Sequence, residues 1–300
     1  MLHRCFAVLF FFSLLSGSAL SEEPAGTQPP QSQTSSSSAQ TRNTVGHYSD
    51  RERRKRHFGE VYFEVSNIYY DEPNFARNKG FMYGVSGDYT YRPNHFMLKL
   101  DGRFSLGNVD YWSSNYTANG IRDYNLETRF SVGYTLKAGS RKARFTPFFG
   151  LGHRYLFDGF SAISPGGYDR KSNYLYSPAG METMFRLGHR LSLGLTGEYD
   201  LFWHGWQYTE LQQEGLSVVP VKNDQTDGWG ARGSLAITRR LGRIDFTIAP
   251  FFRYWDIKQS DLGFQIISIY SQGYLYYFGF PGVEPRNTTT EWGSKFGIAF

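Results

Sequence analysis

From Phe58 to Phe300 the apolar side chains recur at every second position, in segment after segment, and this period of two constrains the fold more than any other feature. Between Phe96 and Leu106, Phe96, Leu98, Leu100, Phe104 and Leu106 share one parity, while Lys99, Asp101, Arg103 and Ser105 hold the other. Tyr124, Leu126, Phe130, Val132, Tyr134 and Leu136 repeat the pattern against Asp123, Asn125, Glu127, Arg129 and Ser131. Leu191, Leu193, Leu195, Tyr199 and Leu201 repeat it against Ser192, Thr196, Glu198 and Asp200. A helix would spread both sets around its circumference, so these segments are strands with one apolar and one charged face. The same test places ten strands near residues 58–68, 80–91, 96–107, 121–136, 143–156, 173–186, 190–202, 227–239, 244–257 and 288–300. The expected class is all-β and antiparallel. Pro147, Pro178 and Pro250 fall inside these strands and leave the parity around them open, because a proline cannot donate to a ladder.

The connections alternate in length. Short ones lie at 92–95, 137–142, 187–189 and 240–243, and long ones at 69–79, 108–120, 157–172, 203–226 and 258–287. Tight turns at one end and long loops at the other are how transmembrane up-and-down barrels are built. A soluble sandwich also alternates, so other features must decide. The expected strands reach 11 to 16 residues, enough for the roughly 9 to 11 tilted residues that cross a bilayer and long against the roughly 5 or 6 of soluble sheets. Aromatics gather near strand ends (Tyr89, Tyr91, Phe96, Tyr134, Tyr155, Tyr199, Trp229, Tyr254, Trp292), where interfacial girdles belong.

Residues 1–21 supply a route to such a membrane: a basic start at His3 and Arg4, an apolar centre from Phe6 to Leu15, and Ala19 and Ser21 before Glu22, the layout of a secretory signal peptide. Residues 22–57 follow as a disordered periplasmic linker, poor in large apolar side chains and ending in the basic run Arg51–Arg56, and residues 58–300 form the barrel. The only cysteine, Cys5, excludes a disulfide framework and a cysteine zinc site. No apolar run approaches the roughly 20 residues of a membrane-crossing helix.

At the C-terminus Trp292, Phe296, Ile298 and Phe300 share one parity against Glu291, Gly293, Lys295, Gly297 and Ala299. This segment resembles the terminal strand of Gram-negative outer-membrane β-barrels, which typically ends in Phe with alternating hydrophobics before it. The resemblance implies residence in the outer membrane, and recognition by periplasmic chaperones and the barrel-insertion machinery through those four residues. The implied surroundings are outer-membrane lipids and lipopolysaccharide, whose phosphates Arg77, Lys79, Arg170, Lys171, Lys222 and Lys258 in the loops could contact. A monomer is expected, and nucleic acid is the wrong compartment.

Barrel size bears on function. Roughly eight strands leave an interior that side chains fill, and roughly 16 to 18 are needed for an aqueous channel. The inward parity also carries Glu60, Glu64, Asp88, Glu182 and Arg154, and the candidate lumen network is Lys99, Asp101, Arg103, Asp123, Glu127, Arg129, Glu198, Asp200, Arg232, Asp245, Arg253, Glu291 and Lys295. Opposite charges on neighbouring strands should pair, since an unpaired charge in a narrow lumen is expensive. A cross-linked plug is therefore expected, in a structural or surface-interaction protein acting through its extracellular loops; the alternative is a narrow, porin-like channel for small solutes or cations. The loops hold Trp203, Trp206, Tyr208, Phe264, Ile266, Ile267, Ile269, Tyr270, Tyr274, Tyr276, Tyr277 and Phe278, which must fold inward as a lid or meet a partner.

Catalysis is the remaining class. The ten-strand count is similar to that of the omptin proteases, which pair Asp-x-Asp with Asp-x-His at the extracellular rim; neither string occurs here, and the nearest approach is Asp200 with His204. No HExxH or GxSxG occurs, and Gly228–Gly233 fits GxGxxG inside an alternating strand, with no helix to hold a pyrophosphate. No enzyme activity, cofactor or metal is expected.

Overall fold

A computed structural model describes residues 56–138, 143–162, 168–211, 217–242, 244–271 and 274–299. The segments expected to be signal peptide and linker, up to residue 55, and Phe300 lie outside the described residues. Ten long strands form the molecule: β1 His57–Glu72, β2 Ala76–Tyr91, β3 Phe96–Ser113, β4 Thr117–Tyr134, β5 Ala143–Gly159, β6 Tyr168–Arg186, β7 Leu191–Leu211, β8 Gly228–Leu241, β9 Ile244–Ile257 and β10 Asn287–Ala299. Each pairs antiparallel with its sequence neighbour, and β10 lies between β9 and β1 in a register running from Glu60↔Ala299 to Asp71↔Thr288. The sheet closes on itself and so leaves no long unpaired edge, the condition for strands in lipid.

Short strands Leu136–Ala138 and Val221–Gln225 extend the same sheet, and a hairpin, Gly263–Ser271 with Tyr274–Gly282, pairs with Ser217–Val219 as a separate small sheet at the loop end. The long connections are shorter than the alternation implies. The loop expected at 69–79 shrinks to residues 73–75, the one at 108–120 to 114–116, and β7 runs on to Leu211. The reason is physical. Beyond the bilayer, outward positions such as Arg77, Lys79, Asn108 and Arg122 are exposed to water and need not be apolar, so the period-two signal stops while the backbone ladder continues.

Burial fixes the two faces. Phe63, Tyr83, Val85, Leu100, Phe104, Phe130, Leu195, Ile248 and Phe296 are exposed on the outside, whereas Glu64, Ser105, Asp200 and Glu291 are buried inside. Such a continuous apolar belt over a charged interior requires lipid around it. The three strand prolines sit where a ladder is interrupted on one side: Pro147 beside the break between β4 and Leu136–Ala138, Pro178 opposite Gly150 and Leu151, and Pro250 opposite Leu235 and Ala236. Each missing donor falls where no partner awaits it. The one bulge between β6 and β7 lies elsewhere, where Leu175 faces His204, Tyr176 faces Phe202, and Trp203 is the extra residue.

Candidate functional site: the barrel lumen

Mid-barrel, the inward parity of β1, β3, β4, β7, β8, β9 and β10 brings acids and bases of different strands into contact. Arg232 of β8 meets Glu127 (2.7 Å), Asp200 (2.7 Å) and Glu198 (3.2 Å), and it donates to the Tyr176 hydroxyl at 2.8 Å. Arg129 bridges Asp101 (2.5 Å) and Glu198 (2.6 Å). Around Glu64 stand Arg103 at 2.8 Å, Lys295 at 3.1 Å and Arg253 at 3.5 Å. Arg103 and Arg253 also pair with Glu291, which accepts from Ser66 at 2.7 Å. With Arg154, whose guanidinium lies over Trp255, this layer holds six cations (Arg103, Arg129, Arg154, Arg232, Arg253, Lys295) and six carboxylates (Glu64, Asp101, Glu127, Glu198, Asp200, Glu291). Its charges balance.

Above this layer, towards the loops, aromatic rings cross the lumen. Tyr174, Tyr176, Trp255 and Ile257 are buried together with Leu156 and Phe202 against them, and Ile68, Met82, Val109, Ala118 and Ile121 form a second apolar cluster. Glycines make the room: a Cβ on Gly152 would lie 2.2 Å from the Tyr176 ring, and one on Gly230 2.9 Å from Trp255. Period-two reading assigns these positions to the inside, but it cannot say which large ring covers which glycine across the lumen.

At the loop end Arg170 closes the interior. It points inward onto Glu72, Glu284 (3.1 Å) and Asp158 (3.3 Å), so it is not the loop cation expected to reach lipid phosphates. The cause is that β6 begins at Tyr168, which places Arg170 on the inward parity of a strand rather than in a loop. Tyr70 donates to Glu72 at 2.7 Å and to Glu284 at 3.4 Å. Burial, more than Glu72 beside it, pushes the Glu284 carboxyl up to about 7 against the pull of Arg170.

The turn end is different. A cavity of about 1080 Å³ reaches from the charged layer to the turns, lined by Glu60, Arg92, Lys99, Glu182, Arg240 and Asp245 among others. Lys99 there pairs with Glu182 at 2.8 Å, and Asp245 with Arg240 at 2.9 Å. Of the candidate network, Lys99 and Asp245 thus belong to this cavity, Asp123 faces Asp158 near the loop end, and the remaining members meet in the central layer. Glu64 and Glu182, inward by parity alone, turn out to be hubs; only the register across strands reveals that.

On the outer face Trp292, Phe296 and Ile298 are exposed, and Phe300 lies outside the described residues. Phe264, Ile266, Tyr274, Tyr276 and Tyr277 of the projecting hairpin are exposed rather than tucked in as a lid. Of Ile267, Ile269, Tyr270 and Phe278, the side chains lie outside the described residues.

No family model matches the sequence, and no curated protein does. Among solved structures, the outer membrane protease OmpT from Escherichia coli superposes with a TM-score of 0.54 at 9% identity, over 82% of this chain and 96% of that one. The fold is that of the outer-membrane β-barrels. The translocator domain of autotransporter NalP from Neisseria meningitidis (TM-score 0.41, 8% identity, 84% of this chain and 91% of that one) is also similar. So is the outer membrane protein OprG from Pseudomonas aeruginosa (TM-score 0.33, 11% identity, 81% and 95%). In this barrel Asp200 and His204 do not meet. Asp200 is fully buried on Arg232, while His204 lies beyond the bulge, half exposed, 3.3 Å from Asp224 and with its ring tilted against Trp206.

Proposed function

We propose that this protein is a non-conducting, monomeric outer-membrane barrel without enzymatic activity, which presents its loop end as a surface for structural or binding contacts. The carrying observation is the double seal: a layer of six cations and six carboxyl groups, then Tyr174, Tyr176 and Trp255 across the same lumen. An ion entering would have to break pairs in a poorly hydrated space and then pass an apolar ring layer, both costly. Arg77, Lys79, Lys171, Lys222 and Lys258 at the loop end are the cations offered to lipopolysaccharide phosphates, Arg77, Lys222 and Lys258 already beside Asp71, Asp224 and Asp256, and the exposed hairpin rings Phe264, Tyr274, Tyr276 and Tyr277 are the surface offered to a partner.

A narrow channel is the second reading, favoured by the 1080 Å³ cavity that reaches the turn end. Planar-bilayer recording separates the two. The refolded barrel should show no stable unitary current at neutral pH; reproducible current steps would replace the sealed-lumen reading with the channel.

A further inference from the structure

Charge is not evenly spread along the lumen. The central layer balances, but the loop-end layer sets four carboxylates, Glu72, Asp123, Asp158 and Glu284, around one guanidinium. Arg170 donates to Glu72, Glu284 and the Oδ2 of Asp158, and makes no hydrogen bond to Asp123. Asp123 of β4 and Asp158 of β5 are register partners, both inward, and the Oδ1 atoms of both are buried with no hydrogen-bond donor. A neutral side chain from a third strand, Asn78 of β2, reaches Asp158 as well. Its side chain is 3% exposed, its Nδ2 donates to Asp158 Oδ2 at 3.3 Å, and its Oδ1 is likewise without a donor.

The geometry points to a divalent-cation site of calcium type at the loop end of the lumen, held by the Oδ1 atoms of Asp123, Asp158 and Asn78. All three are hard oxygen donors, the kind calcium takes, with water filling the rest of its coordination shell. Among the described residues no three His, Cys, Asp or Glu side chains could hold a metal ion by themselves. The amide oxygen is therefore the necessary third ligand, and two carboxylates give the low charge count of a weak site, with a dissociation constant on the order of 10⁻⁴ to 10⁻³ M. Asp123 keeps partial exposure to solvent. Bound there, calcium would tie β2, β4 and β5 together and satisfy three buried oxygens that have no hydrogen-bond donor. A shared proton between the two aspartates is the competing occupant.

The test uses the full chain without its signal segment, refolded into phosphatidylcholine vesicles free of lipopolysaccharide and stripped with EDTA, at about pH 7.5. Calcium chloride is titrated to about 10 mM while the thermal midpoint and bound calcium are read. One ion per chain and a midpoint that rises with saturation by several degrees are expected. Asp123→Asn, which keeps the side-chain shape and touches no arginine, should abolish both. Asn78→Asp should tighten binding about tenfold, as an added ligand charge does, so a gain is available even where a loss could be blamed on folding. Absence of bound calcium, an unchanged response in Asp123→Asn, or a midpoint raised by acid and not by calcium would each overturn the site.

Discussion

Arg232 is the residue whose loss should weaken the barrel most. It contacts Glu127, Asp200, Glu198 and the Tyr176 hydroxyl at once. In Arg232→Ala, Glu198 keeps Arg129 at 2.6 Å and Glu127 keeps the Tyr176 hydroxyl at 2.6 Å, but Asp200, which is 0% exposed, loses the cation that faces it. Removing one partner of a buried pair costs about 3 to 5 kcal/mol, most of it from the charge left behind. The expected loss is in that range, read as the shift in urea midpoint at constant slope for the barrel in phospholipid vesicles, followed by tryptophan fluorescence. Adding Asp200→Asn should restore at least about 1 kcal/mol, because it replaces the buried acid that has lost its partner with a neutral amide. A loss below about 1 kcal/mol, or no recovery in the double variant, would refute the view that this layer is tightly coupled. The same variant should stay electrically silent, since Tyr176 and Trp255 still cross the lumen; Arg232→Ala combined with Trp255→Ala is the variant expected to leak.

Two further outcomes follow from contacts already described. Gly152→Ala pushes a methyl into the fully buried Tyr176 ring and should cost about 1 to 3 kcal/mol, whereas Gly197→Ala, with nothing within 4 Å of its Cβ, should not; equal effects by urea titration would discredit the packing argument. Glu284, facing Arg170, Glu72, Tyr70 and Gln207, holds its proton up to about 7 in the folded state against 4.5 otherwise. The folded state therefore binds more protons in that window, and stability of the loop end is greatest below about 4.5 and falls by up to about 3 kcal/mol as pH rises past 7. Amide exchange near Ser260 and Asn287, corrected for intrinsic rates, should speed up accordingly in the native chain and stay flat in Glu284→Gln.

How much of this was legible in the sequence depends on what each face answers to. Strand number, sidedness and the inward parity of residues such as Arg129 and Glu198 were readable, because lipid on one side and a polar lumen on the other impose a local rule of two. The strand ends were not. Arg170 and Glu72 lie above the bilayer, where the outward face stops being apolar and the rule falls silent although the ladder continues. Partnerships were not readable either. Glu64 and Arg103 are 39 residues apart and Arg103 and Glu291 are 188 apart, and which acid meets which base depends on the stagger between non-adjacent strands. The three prolines were ambiguous for a related reason: whether a missing donor matters depends on whether the neighbouring strand is paired at that level, and the ladder lapses there without a change of register.

That stagger needs a cause, and the apolar belt cannot supply it. Sliding one strand by two residues returns Val61, Phe63 and Val65 to lipid with nearly the same burial, so the outer face scarcely distinguishes neighbouring registers. The lumen does. A two-residue slip of β1 would carry Glu64 away from Arg103, Lys295 and Arg253 and put Ser66 or Tyr62 at their level, leaving the buried Arg103 and Arg253 with Glu291 alone and Lys295 without its carboxylate. On this reasoning the ion network selects one closure between β1 and β10 as well as sealing the interior, the use of buried polar groups with the best precedent. Glu64→Gln keeps the shape and removes the discrimination. It should lower the fraction of chains reaching the compact, heat-resistant band on a cold gel after refolding, and cysteine pairs placed at Val61 and Ile298 should then cross-link less completely than in the parent. Unchanged yield and unchanged cross-linking would assign the register to the turns instead.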